Sequence, residues 1–169
     1  MRKKVFKLFF AWQDEKEEEW LNRMASKGWF LESYHIFYYV FTQDIPQPDT
    51  IYKLDYRKDK ESDEYFSLYE ECGWKYVTQF HGWYYFKGDK NNVFTPELYT
   101  DKHSKSEKYI ALLFTLLLSI LSLLLIGLSI TTNSLPSTLS WFKYIYLFLI
   151  IIMSFAVIKI TMKVKYLRK

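Results

Sequence analysis

Apolar and polar positions change period along the first part of this chain in an order that occurs twice. From Val5 to Ala11 the residues alternate, with Phe6, Leu8 and Phe10 on one face and Phe9 on the other, which predicts a β-strand. The period then lengthens. Trp20, Leu21 and Met24 make one stripe at helical spacing, and Asp14 stands three residues before Glu17, the spacing of a capping box. Glu15, Glu17, Glu18 and Glu19 suit the positive end of the helix dipole. Gly28 supplies a left-handed stop, after which Trp29–Tyr34 and the run Ile36–Phe41 alternate again, with a turn near His35. The unit reads strand, helix, strand, strand.

Pro46 and Pro48 exclude helix and central strand from the linker over residues 43–50. The pattern then restarts. Tyr52, Leu54 and Tyr56 follow Phe6, Leu8 and Phe10 at a displacement of 46. Ser62 is placed to cap a second helix, whose Tyr65, Phe66, Leu68, Tyr69 and Cys72 form the apolar stripe. Gly73-Trp74 repeats Gly28-Trp29 at a displacement of 45, and Trp74–Phe80 and Trp83–Phe86 form the strand pair, with Gly82 in the turn. A matched strand, helix, Gly-Trp step and aromatic hairpin in the same order indicate an internal duplication. Gly28, Trp29, Gly73 and Trp74 are therefore structural residues of the helix-to-sheet corners, and both tryptophans are expected beneath the helices.

Beyond a polar connector over 91–108 come two apolar stretches. Residues 109–130 hold no charge, and at about 1.5 Å per residue they extend roughly 33 Å, enough to cross a bilayer core. Residues 141–162 form the second, with Lys143 and Lys159 near its ends, where their long stems can snorkel. Residues 131–140 between them carry no charge, and 163–169 form a basic tail. Charge follows the same division. All 19 acidic residues precede Tyr109, with 17 Lys and Arg beside them, while the remaining residues carry 6 bases and no acid. By the positive-inside rule, Lys102, Lys105 and Lys108 before the first stretch, and Lys163, Lys165, Arg168 and Lys169 after the second, put both termini in the cytoplasm of a two-span cell-membrane protein. The folded part lacks the basic stripe of a nucleic-acid binder, so no nucleic-acid partner is expected.

Candidate chemistry is sparse. No phosphate-binding glycine loop, nucleophile elbow or HExxH motif is present, so no catalytic residue, metal or cofactor is expected. Cys72 is the one cysteine and builds neither a disulfide framework nor a zinc site. His35 and His81 occupy equivalent hairpin positions but lack a third ligand at recognisable spacing. The acidic run Glu15–Glu19 reads as a solvated helix start. The unusual feature is aromatic content, 21% of the chain. Both faces of the strands over 36–41 and 83–86 are aromatic, and one face of each is expected to remain uncovered by helices for a partner or ligand. Tyr39, Phe41, Tyr84 and Phe86, with Trp12 nearby, are the candidate binding residues, and Asp55 is a candidate carboxylate for a pocket between the repeats.

Several stretches resemble one bacterial family, that of domain of unknown function 2812. They are Phe9-Phe10-Ala11-Trp12, Glu19-Trp20-Leu21, Gly28-Trp29, Tyr52-Leu54-Asp55-Tyr56-Arg57, Gly73-Trp74 and Gly82-Trp83-Tyr84-Tyr85-Phe86. The resemblance covers about the first hundred residues. It implies C-terminal membrane spans and a regulatory setting beside PadR-like transcription regulators in Gram-positive bacteria, with no established activity. A doubled strand-helix-strand-strand unit is also similar in topology to GyrI-like effector-binding domains, which hold amphipathic molecules in an aromatic groove.

Together these readings predict an α+β protein: duplicated βαββ units (about 4–42 and 50–87, within a cytoplasmic domain over 1–90) forming an antiparallel sheet with two helices on one face, followed by two transmembrane helices. The expected role is a non-enzymatic, membrane-anchored interaction or sensing module with a protein partner or self-association. The alternatives are a sensor of a small amphipathic ligand with a pocket between the repeats, and an accessory subunit of a membrane transporter. A concave aromatic pocket with buried carboxylates would favour the ligand sensor, and a flat aromatic face would favour a protein partner.

Overall fold

The computed structural model describes residues 1–57, 61–93, 102–132 and 142–168. The order is β1 (Arg2–Phe6), a 3-10 turn (Ala11–Gln13), α1 (Asp14–Ala25), β2 (Trp29–His35), β3 (Tyr38–Gln43), β4 (Thr50–Tyr56), α2 (Asp63–Glu71), β5 (Lys75–Phe80), β6 (Trp83–Asp89), α3 (Lys102–Thr132) and α4 (Phe142–Leu167). The α+β class, the duplication and the two apolar C-terminal helices are all present. The hydrogen-bonded ladders close within each repeat, giving two three-stranded antiparallel sheets, β1-β3-β2 and β4-β6-β5. The repeats match even in their irregularities. β2 shifts register between Leu31 and Ser33 against β3, and β5 shifts between Tyr76 and Thr78 against β6, again 45 residues later.

The first strand lies earlier than its alternation suggests, at Arg2–Phe6 rather than Val5–Ala11, and because Phe6 pairs with Tyr38 as Tyr56 pairs with Trp83, the first strands of the repeats correspond at a displacement of 50 and not 46. β3 begins at Tyr38 opposite Phe6, and beyond Lys7, whose N–H donates to the Phe37 carbonyl at 3.3 Å, no partner strand remains among the described residues. The Gly-Trp corners form as expected. Gly28 and Gly73 adopt φ of +78° and +88°, and their N–H groups donate to Ala25 and Glu70 at the helix ends. Trp74 is fully buried, whereas Trp29 is only half-buried, with the Lys3 ammonium 3.7 Å from its ring centre.

Each helix covers the equivalent face of its own sheet. α1 sets Trp20, Leu21 and Ala25 against Phe30, Leu31, Tyr39 and Phe41, while Tyr65 of α2 packs with Trp74, Tyr84 and Phe86. α1 has a second task. It runs along the free edge of β4, where the N–H groups of Tyr52 and Leu54 donate to Asn22 Oδ1 at 2.7 Å and Glu18 Oε1 at 3.0 Å. Side-chain acceptors on the helix thus do the work of a missing fourth strand. The opposite face of that sheet, with Tyr52, Leu54 and Tyr85, joins the α1 core.

α3 and α4 pack on one another, and the hydroxyl of Tyr146 donates to the Leu123 carbonyl. Gly127 faces the Tyr146 ring, a close approach that a larger residue would block. Over Ser106–Leu128 and Phe142–Leu167 these helices are long and apolar enough to cross a membrane, with mean hydropathy of 2.8 and 2.4. The stretch expected to link them, residues 131–140, lies mostly outside the described residues, as does part of the connector over 91–108. α4 continues helical through Leu167, so the basic tail is largely its last turns.

Candidate functional site

The polar residues that sequence reading left in solvent converge where the repeats meet the apolar helices. Within the acidic run only Glu15 and Glu19 form a solvated helix start, since Asp14, Glu17 and Glu18 are 1%, 7% and 7% exposed. Their positions explain why. Residues 14, 17, 18, 21 and 25 recur at helical spacing on one face, and that face continues the stripe of Leu21 and Ala25. Extrapolating the apolar stripe back by one turn would have found these acids.

Asp14 opens α1, yet it caps nothing. Lys108 of α3 reaches its Oδ2 at 2.6 Å and Lys163 of α4 its Oδ1 at 2.8 Å. The Tyr109 hydroxyl lies 2.8–2.9 Å from the same two oxygens. One carboxylate therefore fastens both apolar helices to α1. Burial alone would raise its pKa, but the two ammoniums outweigh that and hold it well below the usual carboxylate range. Lys108 also donates to the Leu54 carbonyl and Lys163 to that of Trp12, both at 3.3 Å. Around this tie Tyr56, Tyr109, Leu112, Ile160, Val164 and Leu167 form their own apolar cluster.

Glu17 lies one turn on. Its Oε1 accepts hydrogen bonds from Tyr39 and Tyr85, each at 2.7 Å, one hydroxyl from each repeat. Burial pushes its pKa up to about 7. The two hydroxyls pull the other way, and the neighbouring Asp14 and Glu18 charges add to the rise. Glu18 is raised in the same way by burial, against the opposing Lys53 ammonium at 3.2 Å.

Beside these carboxylates is a cavity of about 380 Å³. Phe9, Phe10 and Ala11 line it ahead of α1, Asp14 and Glu17 from α1, and Tyr34 from β2. The second repeat contributes Tyr56, Phe80, His81, Trp83 and Tyr85, and α3 contributes Leu112 and Thr115. The walls are mostly aromatic rings, and Tyr34 stands 5.1 Å from Phe80 and 5.6 Å from Tyr85 between ring centres. Apolar walls with few polar groups are the usual make-up of a small-molecule site. A larger cleft of about 640 Å³, lined by Gln47–Thr50, Gly73, Lys75, Lys87–Asp89 and Asn92, carries no aromatic ring.

The structure corrects the expected binding surface. Tyr39, Phe41 and Phe86 are 0% exposed and Tyr84 is 2% exposed, so none of them presents an open aromatic face. Strand alternation identifies two faces but not which one a helix covers, and the helices cover this one. Asp55 is buried as well, but on the α2 side. Its Oδ2 accepts from Arg57 Nε at 2.9 Å, Tyr65 at 2.8 Å and Tyr69 at 3.3 Å, which ties α2 to β4 outside the cavity. Trp12 is half-buried, stacked 4.8 Å from Phe10 and edge-on to Phe155 of α4 at 6.1 Å. His35 and His81 line different cavities, and among the described residues no group of three His, Cys, Asp or Glu side chains is placed to hold a metal ion.

No curated protein and no solved structure matches the chain. The family described as protein of unknown function DUF2812 matches residues 13–121, a span that takes in the first repeat from α1 onward, the whole second repeat, the buried carboxylates and the start of the first apolar helix. The match covers well over half of the chain, and the protein belongs to that family.

Proposed function

We propose that this protein is a membrane-anchored, non-enzymatic sensing module that binds a small amphipathic molecule in the cavity between its repeats and serves regulation. The observation that carries the reading is the cavity itself: aromatic walls drawn from both repeats around the Glu17 carboxyl, with Asp14 in the same lining. The rings suit an apolar or π-faced body. Glu17, poised near neutrality, suits a polar or cationic head, and aromatic faces also attract organic cations. Because Asp14 both lines the cavity and grips Lys108 and Lys163, an occupant touches the group that fastens both apolar helices. Ligand occupancy is thereby coupled to how the helices sit on the domain. The helices act as spans of the cell membrane, with both termini in the cytoplasm, as the flanking lysines and arginines favour.

The test uses the full-length protein in lipid nanodiscs, titrated with rhodamine 6G, a planar amphipathic cation, and read by fluorescence anisotropy. Saturable binding is expected, weakened about tenfold by Trp83→Ala, which removes one wall at a cost of about 1.4 kcal/mol. Binding that is absent, or unchanged in Trp83→Ala, overturns the reading.

A further inference from the structure

The domain exposes apolar side chains in one place where water is a poor explanation. Phe6, Leu8, Phe10, Ile36 and Phe37 are 77%, 52%, 48%, 50% and 53% exposed. They come from the end of β1, the segment that follows it, and the β2–β3 turn. They are drawn together by the Lys7 N–H to Phe37 carbonyl bond and by Phe6 stacking on Phe37 at 6.1 Å. From this geometry we infer that the cluster is a wedge seated in the headgroup and acyl boundary of the bilayer, so that the domain lies against the lipid surface it is tied to.

Two observations select lipid as the occupant. The first is continuity with the spans. Phe10 stacks on Trp12, and Trp12 meets Phe155 of α4, eight residues on the membrane side of Lys163. The Lys159 ammonium lies 5.4 Å from the Phe155 ring centre, so the Trp12 ring stands where the cationic end of α4 meets the apolar span, the level that interfacial aromatic rings occupy. The second is the order of residues along the exposed face of β1. Lys4, with Arg2 beyond it in an ion pair with Glu32 of β2, precedes Phe6 on that face, charged first and apolar last. This sequence suits anionic headgroups above acyl chains, as in interfacial amphipathic segments. The inference rests on reading α3 and α4 as membrane spans. It adds that the mouth of the cavity, where Phe10 belongs to both lining and wedge, faces lipid.

Single cysteines in a Cys72→Ser background, labelled with an NBD fluorophore, test it in the full-length protein. The protein is reconstituted into phosphatidylcholine–phosphatidylglycerol vesicles containing lipids spin-labelled high on the acyl chain. Labels at Phe37→Cys and Phe6→Cys should be blue-shifted and quenched about twofold more strongly than one at Leu68→Cys, an exposed site on α2, given insertion of about 5–10 Å. A label at Phe148→Cys, exposed on α4, reports the span itself. If Phe148→Cys is quenched by lipid and the two wedge sites are not, the wedge is wrong and the spans stand. If Phe148→Cys also escapes quenching, the membrane reading fails and the wedge fails with it. Blue-shifted emission at the wedge sites without lipid quenching indicates that protein covers them, which overturns the inference.

Discussion

The two repeats share an architecture down to the positions of their register shifts, yet their helices live in different surroundings. α1 is enclosed by its own sheet, by the edge of β4 and by the two apolar helices, and it buries three carboxylates. α2 covers only its own sheet. Its Asp63 and Glu64 stay in solvent, and Leu68 is 59% exposed. One duplicated unit has thus produced a central helix that carries buried charge and a peripheral one that does not. The difference arises from position. Only the first helix faces both the partner repeat and the spans, so its own acidic side chains find tyrosines of both repeats, lysines of the spans and free strand N–H groups to satisfy them, whereas α2 lends its tyrosines to a carboxylate of β4, Asp55.

The largest expected effect separates these two helices. Asp14→Asn strips two ion pairs from one buried carboxylate, and Lys108, 3% exposed, loses its carboxylate partner at 2.6 Å. A loss of about 3–5 kcal/mol is expected, read as the unfolding midpoint in nanodiscs. Asp63→Asn at the exposed start of α2 should stay within about 0.5 kcal/mol. Equal effects at the two sites would erase the distinction between central and peripheral helix.

The next effect is a pH dependence that belongs to α1. Glu17 has a folded pKa of about 7 against an ordinary 4.5, so its contribution favours the fold most below pH 4.5 and is lost as pH rises through 7. The shift corresponds to a loss on the order of 3 kcal/mol across that window. Glu17→Gln should flatten this limb, and at pH 8 the variant should be the more stable protein. Asp14 acts with the opposite sign. Its lowered pKa holds stability above 3.8 that is lost as pH falls, so the wild-type optimum should lie at mildly acidic pH. A stability profile of Glu17→Gln parallel to wild type between pH 5 and 8 would show that Glu17 does not titrate in the folded state.

What could be read from sequence follows the same division. The repeats were legible because local signals repeat: alternation in the strands, a glycine after each helix, an aromatic hairpin after each glycine. The apolar helices were legible from length alone. The site was not, because it is built from residues far apart in the chain. Asp14 meets Lys108 and Lys163 across 94 and 149 residues, and Glu17 meets Tyr85 across 68. An acidic helix start and basic flanks of a membrane segment each have an ordinary explanation alone, and only the fold pairs them. The aromatic strands misled for a related reason. Tyr39 and Phe86 were correctly placed on a face, but which face a helix would cover depended on packing that alternation does not encode.

The smallest effect sharpens the comparison at the corners where the repeats look most alike. Gly28 and Gly73 both hold left-handed φ, so an alanine at either pays about 1 kcal/mol for the conformation alone. Their neighbours differ. A Cβ on Gly28 would stand 2.5 Å from the Asp44 carbonyl oxygen, which is backbone and which also receives its ordered position from the Asp44 N–H bond to the Gly28 carbonyl at 2.9 Å. A Cβ on Gly73 would stand 3.0 Å from the Asn92 carbonyl oxygen, where a shift of a few tenths of an ångström relieves the contact. Gly28→Ala should therefore cost about 2 kcal/mol and Gly73→Ala about 1 kcal/mol, measured as the difference in thermal midpoint of the full chain. The direction matters more than the size. The first corner is clamped because it sits at the base of the central helix, so a larger loss at Gly73 would mean that the peripheral repeat is the more tightly built of the two.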